Sequence, residues 1–206
     1  MNDKPNHENE PEDEIEDFDF PDSIEELSEL FWSISETEPS FPTIPLELTS
    51  SYSDGPFEIC IECGVNLMEN GCNYVIQKSR RNGETVLEMA ICSDCAGNMD
   101  GQISEESKIA IEDYLSSLSP KADSITEGQC IGCDSMIDQD QADFEIVGMA
   151  RGPYLLSPAI VFCHSCQEKF EELLSEETKK GGQDFIDKNF PGVPENMGLP
   201  VGFFSM

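Results

Sequence analysis

Eight of the nine cysteines in this 206-residue chain form four Cys-x-x-Cys pairs, and these pairs are the residues best suited to chemistry. The first two pairs are 28 residues apart and the last two are 29 residues apart. Each pair can present two sulfurs on one side of a tight turn, and two such turns can hold one metal ion. The predicted ligands are Cys60, Cys63, Cys92, Cys95, Cys130, Cys133, Cys163 and Cys166.

The four pairs belong to a sequence repeat. The second set of cysteines follows the first by 70 residues at its first pair and by 71 at its second pair. Residues 74–76 match 144–146, and residues 90–92 match 161–163. This constant offset indicates a tandem duplication, so we expect each unit to hold its own ion. An interleaved arrangement stays open, because spacing does not fix connectivity.

Four cysteines in each unit predict a tetrahedral four-sulfur site, which is typical of structural zinc. We expect two Zn²⁺ ions per chain. Because protein sulfurs take all four positions, no coordination position is left for a substrate, and a structural role is favoured.

Each unit has β-rich runs between its two cysteine pairs. In the first unit, residues 74–79 and 85–91 flank Asn82-Gly83, a strong hairpin signal. In the second unit, the runs are 143–149 and 155–162. Pro158 cannot donate a ladder hydrogen bond, so it predicts an edge or a bulge in the last run.

A helical pattern follows the second cysteine pair of each unit. In the second unit this pattern begins at the ligand Cys166 itself, whereas Gly97 and Gly101 separate Cys95 from the pattern in the first unit. The predicted apolar faces are Ile111, Tyr114, Leu115 and Leu118 in the first unit, and Cys166, Phe170, Leu173 and Leu174 in the second.

The order of cysteine knuckle, β-hairpin, second cysteine pair and helix resembles the treble-clef zinc finger over residues 57–118 and 127–176. The resemblance implies an α+β fold of two tandem zinc-bound units, each with a knuckle, a β-hairpin and a C-terminal helix. It also implies that the second ligand pair lies at the start of the helix, where the helix dipole favours thiolate. It implies no particular function, because this fold group serves many.

Composition outside the cysteine units predicts three further segments. A capping-box sequence at Ser23 precedes an amphipathic helix over residues 24–35, and three prolines then mark a linker. The predicted organisation is an acidic disordered tail at 1–22, the helix and linker at 23–45, the first zinc unit at 46–120, the second at 121–190, and a C-terminal tail at 191–206.

Net charge limits the classes of partner. The chain carries −32, with 16 acidic residues and one lysine in residues 1–50 alone. This field repels nucleic-acid phosphates and anionic lipid, so we expect a protein partner with a basic surface. The acidic N-terminus does not resemble a signal peptide, and no apolar run is long enough to span a membrane. We therefore expect a cytoplasmic protein whose thiols stay reduced.

Two other functions use the same cysteines. The spacing around Cys60-x-x-Cys63-Gly64 is similar to that of rubredoxin, which implies an iron electron carrier, although the second pairs lack the Cys-Pro of that family. A thiol–disulfide protein is the other alternative, but it needs an electropositive reactive pair. His164 could replace one ligand, and the unpaired Cys72 has no counterpart in the repeat. No convincing catalytic group accompanies these cysteines, so we expect no enzyme activity.

Overall fold

The first hairpin forms as its turn residues predict. In the computed structural model, which describes residues 41–69, 71–118, 128–138 and 142–193, β1 (Asn73–Arg81) pairs with β2 (Glu84–Cys92). Asn82 and Gly83 both adopt positive φ, at 49° and 80°, as a tight hairpin turn requires. The prediction of the first hairpin is confirmed. The predicted helix at 24–35 and most of both tails lie outside the described residues.

The second hairpin differs from its prediction in its returning arm. β3 (Phe144–Arg151) pairs with both β4 (Tyr154–Leu155) and β5 (Ile160–Cys163), so the predicted run 155–162 is two short strands. Pro158 lies between them and has no N–H to donate, which explains the interruption.

Each unit has two α-helices, the first beginning inside its second cysteine pair, where the sequence predicts one helix. They are α1 (Ser93–Asp100), α2 (Glu105–Ser117), α3 (His164–Glu172) and α4 (Glu176–Asn189). In the first unit, α1 begins directly after Cys92 and contains Gly97, so this glycine does not delay the helix as the sequence suggests. A serine N-cap then starts a second helix in each unit.

The two units share one five-stranded antiparallel sheet. β1 lies between β2 and β3, and Gln77 is directly opposite Val147. These two residues are 70 positions apart, the same offset as the first cysteine pairs. Equivalent strands that pair antiparallel with equivalent residues opposite each other have a local two-fold axis at that pair. The hairpins of the two units are therefore related by this axis.

The start of α2 meets the start of α4 in a reciprocal set of hydrogen bonds. The Ser104 amide donates to the Thr178 hydroxyl at 3.0 Å, and the Ser175 amide donates to the Ser107 hydroxyl at 2.8 Å. Ser104 and Ser175 are the N-caps of their helices and lie 71 residues apart. This contact obeys the same two-fold relation as the strands.

One face of the sheet, opposite the four helices, is covered by residues 42–51. Leu48 is fully buried and lies against Gly148, where an added methyl group would be only 2.6 Å from the Leu48 Cδ1. Lys78 and Glu88 form a buried ion pair at 3.1 Å on this face. The Lys78 ammonium also donates to the Thr49 carbonyl at 2.6 Å. This segment has no counterpart in the repeat and makes the two faces of the sheet unequal.

Candidate metal centres

The structure brings together the first four predicted ligands. The sulfurs of Cys60, Cys63, Cys92 and Cys95 all lie within 4.8 Å of one another. Cys60 and Cys63 belong to the turn that precedes β1, Cys92 ends β2, and Cys95 lies in the first turn of α1. The hairpin therefore returns the second pair to the first, as expected within one unit.

The second cluster repeats this construction. The sulfurs of Cys130, Cys133, Cys163 and Cys166 also lie within 4.8 Å of one another. Cys163 ends β5, and Cys166 lies in the first turn of α3. In both clusters the first cysteine is buried and the second is exposed. The cysteines of one unit thus form one cluster, and no exchange between units occurs among these eight residues.

Each first cysteine pair lies in a tight turn closed by the same two backbone hydrogen bonds. In the first unit, Gly64 N–H donates to the Cys60 carbonyl at 2.9 Å, and Cys60 N–H donates to Val65. In the second unit, Asp134 N–H donates to the Cys130 carbonyl at 2.9 Å. Gly64 and Asp134 both have positive φ, at 73° and 62°. Asp is one of the few residues besides glycine that tolerates this conformation.

Backbone donors and helix starts favour thiolate in both clusters. The Cys92 amide lies 3.4 Å from the Cys60 sulfur, and the Cys163 amide lies 3.3 Å from the Cys130 sulfur. Cys92 and Cys163 are the N-cap residues of α1 and α3, where unpaired N–H groups give a positive potential. These N–H donors offset part of the negative charge that four thiolates would place in each cluster.

One thiol of each first pair ionises readily. Burial disfavours the Cys60 thiolate, but backbone hydrogen bonds, the largest from Cys92, outweigh burial and lower the Cys60 pKa to about 7. In the second cluster, the hydrogen bond with the Ser135 hydroxyl is the largest cause that lowers the pKa of Cys133 to about 6. Each cluster therefore offers a thiolate near neutral pH to start metal binding.

The second pair of each cluster behaves in the opposite way. Burial, with a contribution from neighbouring sulfurs, raises the pKa of all four of these thiols: Cys92, Cys95, Cys163 and Cys166. Four thiolates this close repel one another strongly, so full ionisation requires a cation among them. Binding of a metal ion to either cluster would therefore release protons.

The sulfur spacing fits a tetrahedral metal ion. Cys63 and Cys92 sulfurs are 3.8 Å apart, and Cys133 and Cys163 sulfurs are 3.7 Å apart. Four sulfurs at about 2.3 Å from a zinc ion are about 3.8 Å from one another. Both groups of four cysteines are therefore compatible with metal binding, and their ligand chemistry suits zinc or iron.

The second helix of each unit reaches the cluster of the other unit. Tyr114 of α2 packs edge-on against Phe170, with ring centroids 6.0 Å apart, and lies beside Cys166. Burial and the neighbouring Cys166 raise the Tyr114 pKa to about 12. In the reverse direction, Lys188 and Asn189 of α4 bind the Glu62 carboxylate inside the first knuckle. Each cluster is therefore contacted by the second helix of the other unit.

His164 and Cys72 stand apart from both clusters. The His164 ring points to Glu168, with 3.6 Å between Nε2 and the carboxylate, and four cysteines complete the second cluster without it. Cys72 is partly buried against the core beside β1 and belongs to neither group. Both positions agree with the cysteine-only ligand sets predicted from the repeat.

Several residues near the clusters were not predicted as site residues. They include Ser135, which hydrogen-bonds Cys133, and the cross-unit contacts of Tyr114 and Glu62. The 71-residue offset continues to Ser104 and Ser175, so extending the repeat past the cysteines would have predicted the second helix of each unit. No signal in the sequence shows that this helix packs on the other unit.

Comparisons with protein-family models, with curated proteins and with solved structures find no match for this chain. Within the described part of the chain, every helix is too short or too polar to cross a membrane.

Proposed function

We propose that this chain is a zinc-stabilised protein-interaction module with two structural four-cysteine zinc sites and no catalytic activity of its own. The observation that carries the proposal is that each four-sulfur cluster is complete and is contacted at its edge by a helix of the other unit. A complete sulfur tetrahedron leaves no open position at the metal, which favours a structural role. Iron is the alternative metal, because the same ligands suit it.

We further propose that each unit is treble-clef-like and that the two units derive from a duplication. The support is the position of Cys95 and Cys166 in the first turn of a helix that follows a hairpin. The shared offset of cysteines, strands and serine N-caps supports the duplication. In this view the metals replace part of the apolar core that such small units lack.

The proposed partner is a protein with a basic surface rather than nucleic acid or membrane. The net charge of −32 supports this choice, because it attracts a basic surface and repels phosphates. The basic residues Arg80 and Arg81 directly precede the first hairpin turn and are engaged within the fold: Arg80 lies over the Phe144 ring, and Arg81 donates to Gln167. A reducing compartment such as the cytoplasm would keep the eight thiols available for metal.

Metal analysis tests the proposal. The purified full chain, prepared without added metal, is examined by native mass spectrometry, elemental analysis and visible absorption. We expect two zinc ions per chain and no colour. Two iron ions with a red chromophore would support the electron-carrier alternative instead. A chain that folds fully with neither metal would refute both.

A further inference from the structure

A cleft of about 410 Å³ opens beside the first cluster, between α1 and α4. Cys63 and Cys95 form part of its lining, so it lies directly against the proposed metal site. The remaining walls come from both units, and their main residues are Asn98, Met99, Gln102, Gly181, Asp184 and Phe185.

At the equivalent place beside the second cluster, an aromatic contact and a leucine stand where the first unit has its cleft. Phe170 and Leu173 occupy the positions of Met99 and Gln102, each 71 residues later in the chain. Tyr114, the counterpart of Phe185, packs against Phe170 and lies beside Cys166. The first unit therefore has smaller or more polar residues where the second unit has a packed contact. This difference between two otherwise equivalent sites points to a binding role for the cleft.

The cleft has hydrogen-bond acceptors and an excess of negative charge. The side chains of Asn98, Gln102 and Asp184 have neither hydrogen bonds nor ion pairs to other residues in the described part of the chain. Among the described residues of the lining, Lys188 is the one cation, and it binds Glu62. The Asp184 carboxylate therefore has no counter-charge among the described residues.

We propose that this cleft binds an arginine side chain of a protein partner, which deepens the proposed interaction function and rests on it. A guanidinium group has five N–H donors in a planar fork, which suits the Asp184 carboxylate and the amide oxygens of Asn98 and Gln102. Met99 and the small exposed part of Phe185 supply apolar surface for the arginine stem and for the face of the guanidinium. Lysine has fewer donors and no planar face, so it fits less well.

A peptide titration of the zinc-loaded full chain tests this assignment. The probes are three five-residue capped peptides, with glycines flanking a central arginine, lysine or citrulline. Binding is followed by the NMR shifts of the Asn98 and Gln102 side-chain amides. We expect saturable shifts with the arginine peptide, weaker binding of lysine, and no binding of citrulline, which keeps the shape of arginine but lacks its charge. Equal affinity for arginine and citrulline would overturn the proposal.

Three variants locate the binding site. Asp184→Asn should weaken arginine binding by about tenfold, the effect of losing one charge-assisted hydrogen bond. Asp113→Asn is its matched control, because Asp113 is the counterpart of Asp184 on α2, and it should leave binding unchanged. Gly181→Ala places a methyl group 3.6 Å from the Gln102 Oε1, an ordinary contact that narrows the cleft. It should weaken binding while the melting temperature stays equal or rises, since alanine favours the helix.

The metal content of the same samples separates this proposal from the proposed function. Two zinc ions per chain with no saturable shift would refute the arginine site and leave the zinc module intact. Equal losses of binding in Asp184→Asn and Asp113→Asn would show only a response to total charge and would likewise refute the site. A chain without metal would refute the proposed function itself.

Discussion

The hydroxyl oxygens of Ser104 and Ser175 lie 2.8 Å apart, although the residues are 71 positions apart in the chain. Each serine caps its own helix by accepting a hydrogen bond from the backbone three residues later. The backbone N–H of each serine itself donates to a hydroxyl of the other unit: Ser104 to Thr178, and Ser175 to Ser107. The two helix starts therefore form one shared hydrogen-bond network instead of two separate caps.

Removing either serine should weaken both helices. Ser104→Ala and Ser175→Ala should each lower the free energy of unfolding by about 1–2 kcal/mol, the usual cost of losing an N-cap. The double variant should lose less than the sum, because the first change already breaks the shared contact. Urea denaturation of the zinc-loaded chain measures this. Ser117→Ala, at the exposed end of α2, is the control, and strictly additive losses would argue against a shared network.

Cys95→Ser should damage the protein far more than Cys72→Ser. The first change removes a sulfur of a four-cysteine cluster, and a structural zinc site contributes about 10–16 kcal/mol apparent in small fingers. The second changes a thiol outside both clusters. Native mass spectrometry and thermal melts should show lost zinc and a large fall in melting temperature for Cys95→Ser alone. Equal effects would mean that Cys72 has a structural role not visible in the clusters.

Gly132→Ala should destabilise the second cluster specifically. An added methyl group would lie 2.8 Å from the Cys166 sulfur and 2.9 Å from the Tyr114 hydroxyl oxygen, closer than carbon contacts allow. We expect a loss of about 1–3 kcal/mol, as for other overpacked sites, together with weaker metal binding at this cluster. A chelator competition with thermal melts measures both effects.

Two companion variants make the Gly132 result specific. Tyr114→Phe in the Gly132→Ala background removes one of the two clashing atoms and should restore part of the stability. Gly97→Ala meets nothing within 4 Å and lies inside α1, so it should raise stability by up to about 1 kcal/mol. A loss of stability in Gly97→Ala, or no rescue by Tyr114→Phe, would contradict this account of the packing.

Glu88→Gln should cost about 3 kcal/mol, because it leaves the buried Lys78 ammonium without its counter-charge. Glu84→Gln, at the exposed start of the same strand, is the control and should cost little. Urea denaturation of zinc-loaded protein at neutral pH compares the two. Equal losses would show that the strand, rather than the ion pair, is sensitive.

The Glu88 effect should depend on pH. Burial raises the Glu88 pKa, but hydrogen bonds from Ser51, Lys78 and Ser50 outweigh it, so the pKa lies below its ordinary value of 4.5. The carboxylate therefore stabilises the fold above that value and loses this contribution as the pH falls through the folded-state pKa. The stability gap between the parent chain and Glu88→Gln should narrow below pH 4.5. Both proteins keep the same cysteines, so acid release of metal cancels in this comparison.

The full chain should not bind duplex DNA at physiological salt. Non-specific affinity requires cations that neutralise phosphates, and the net charge here is −32. Arg80 and Arg81, the most obvious basic cluster, are half-buried and hold contacts within the fold. Fluorescence anisotropy with a labelled duplex tests this. Salt-sensitive binding that disappears in the Arg80→Ala, Arg81→Ala double variant would show a local DNA-binding site at the hairpin tip.

Local signals in the sequence predicted the parts of the fold that depend on neighbouring residues. The Asn82-Gly83 turn and Pro158 fixed the first hairpin and the interruption of the second. The cysteine offsets predicted the composition of both clusters. In each case the contact is made within one unit, so periodicity and spacing carry the information.

Those local signals could not predict the contacts between the two units. Lys188 and Glu62 are 126 residues apart, and nothing in the helical pattern of α4 says which surface its apolar face will cover. The pairing of β1 with β3 could not be predicted either. Both strands are buried on both faces, so their sequences do not show which edge of each hairpin will pair with another strand. A repeat gives the two units the same local structure and leaves their mutual packing undetermined.

The exchange of α2 and α4 sets an order of events during synthesis. All four cysteines of the first cluster have been made once residue 95 leaves the ribosome, but Phe185 and Lys188, which line the cleft beside that cluster, are made some 90 residues later. The second cluster has no such delay, because its covering residue Tyr114 precedes all of its cysteines. The newly made first cluster therefore lacks its α4 contacts, and is more open to competing thiols and metals, while the next 90 residues are made.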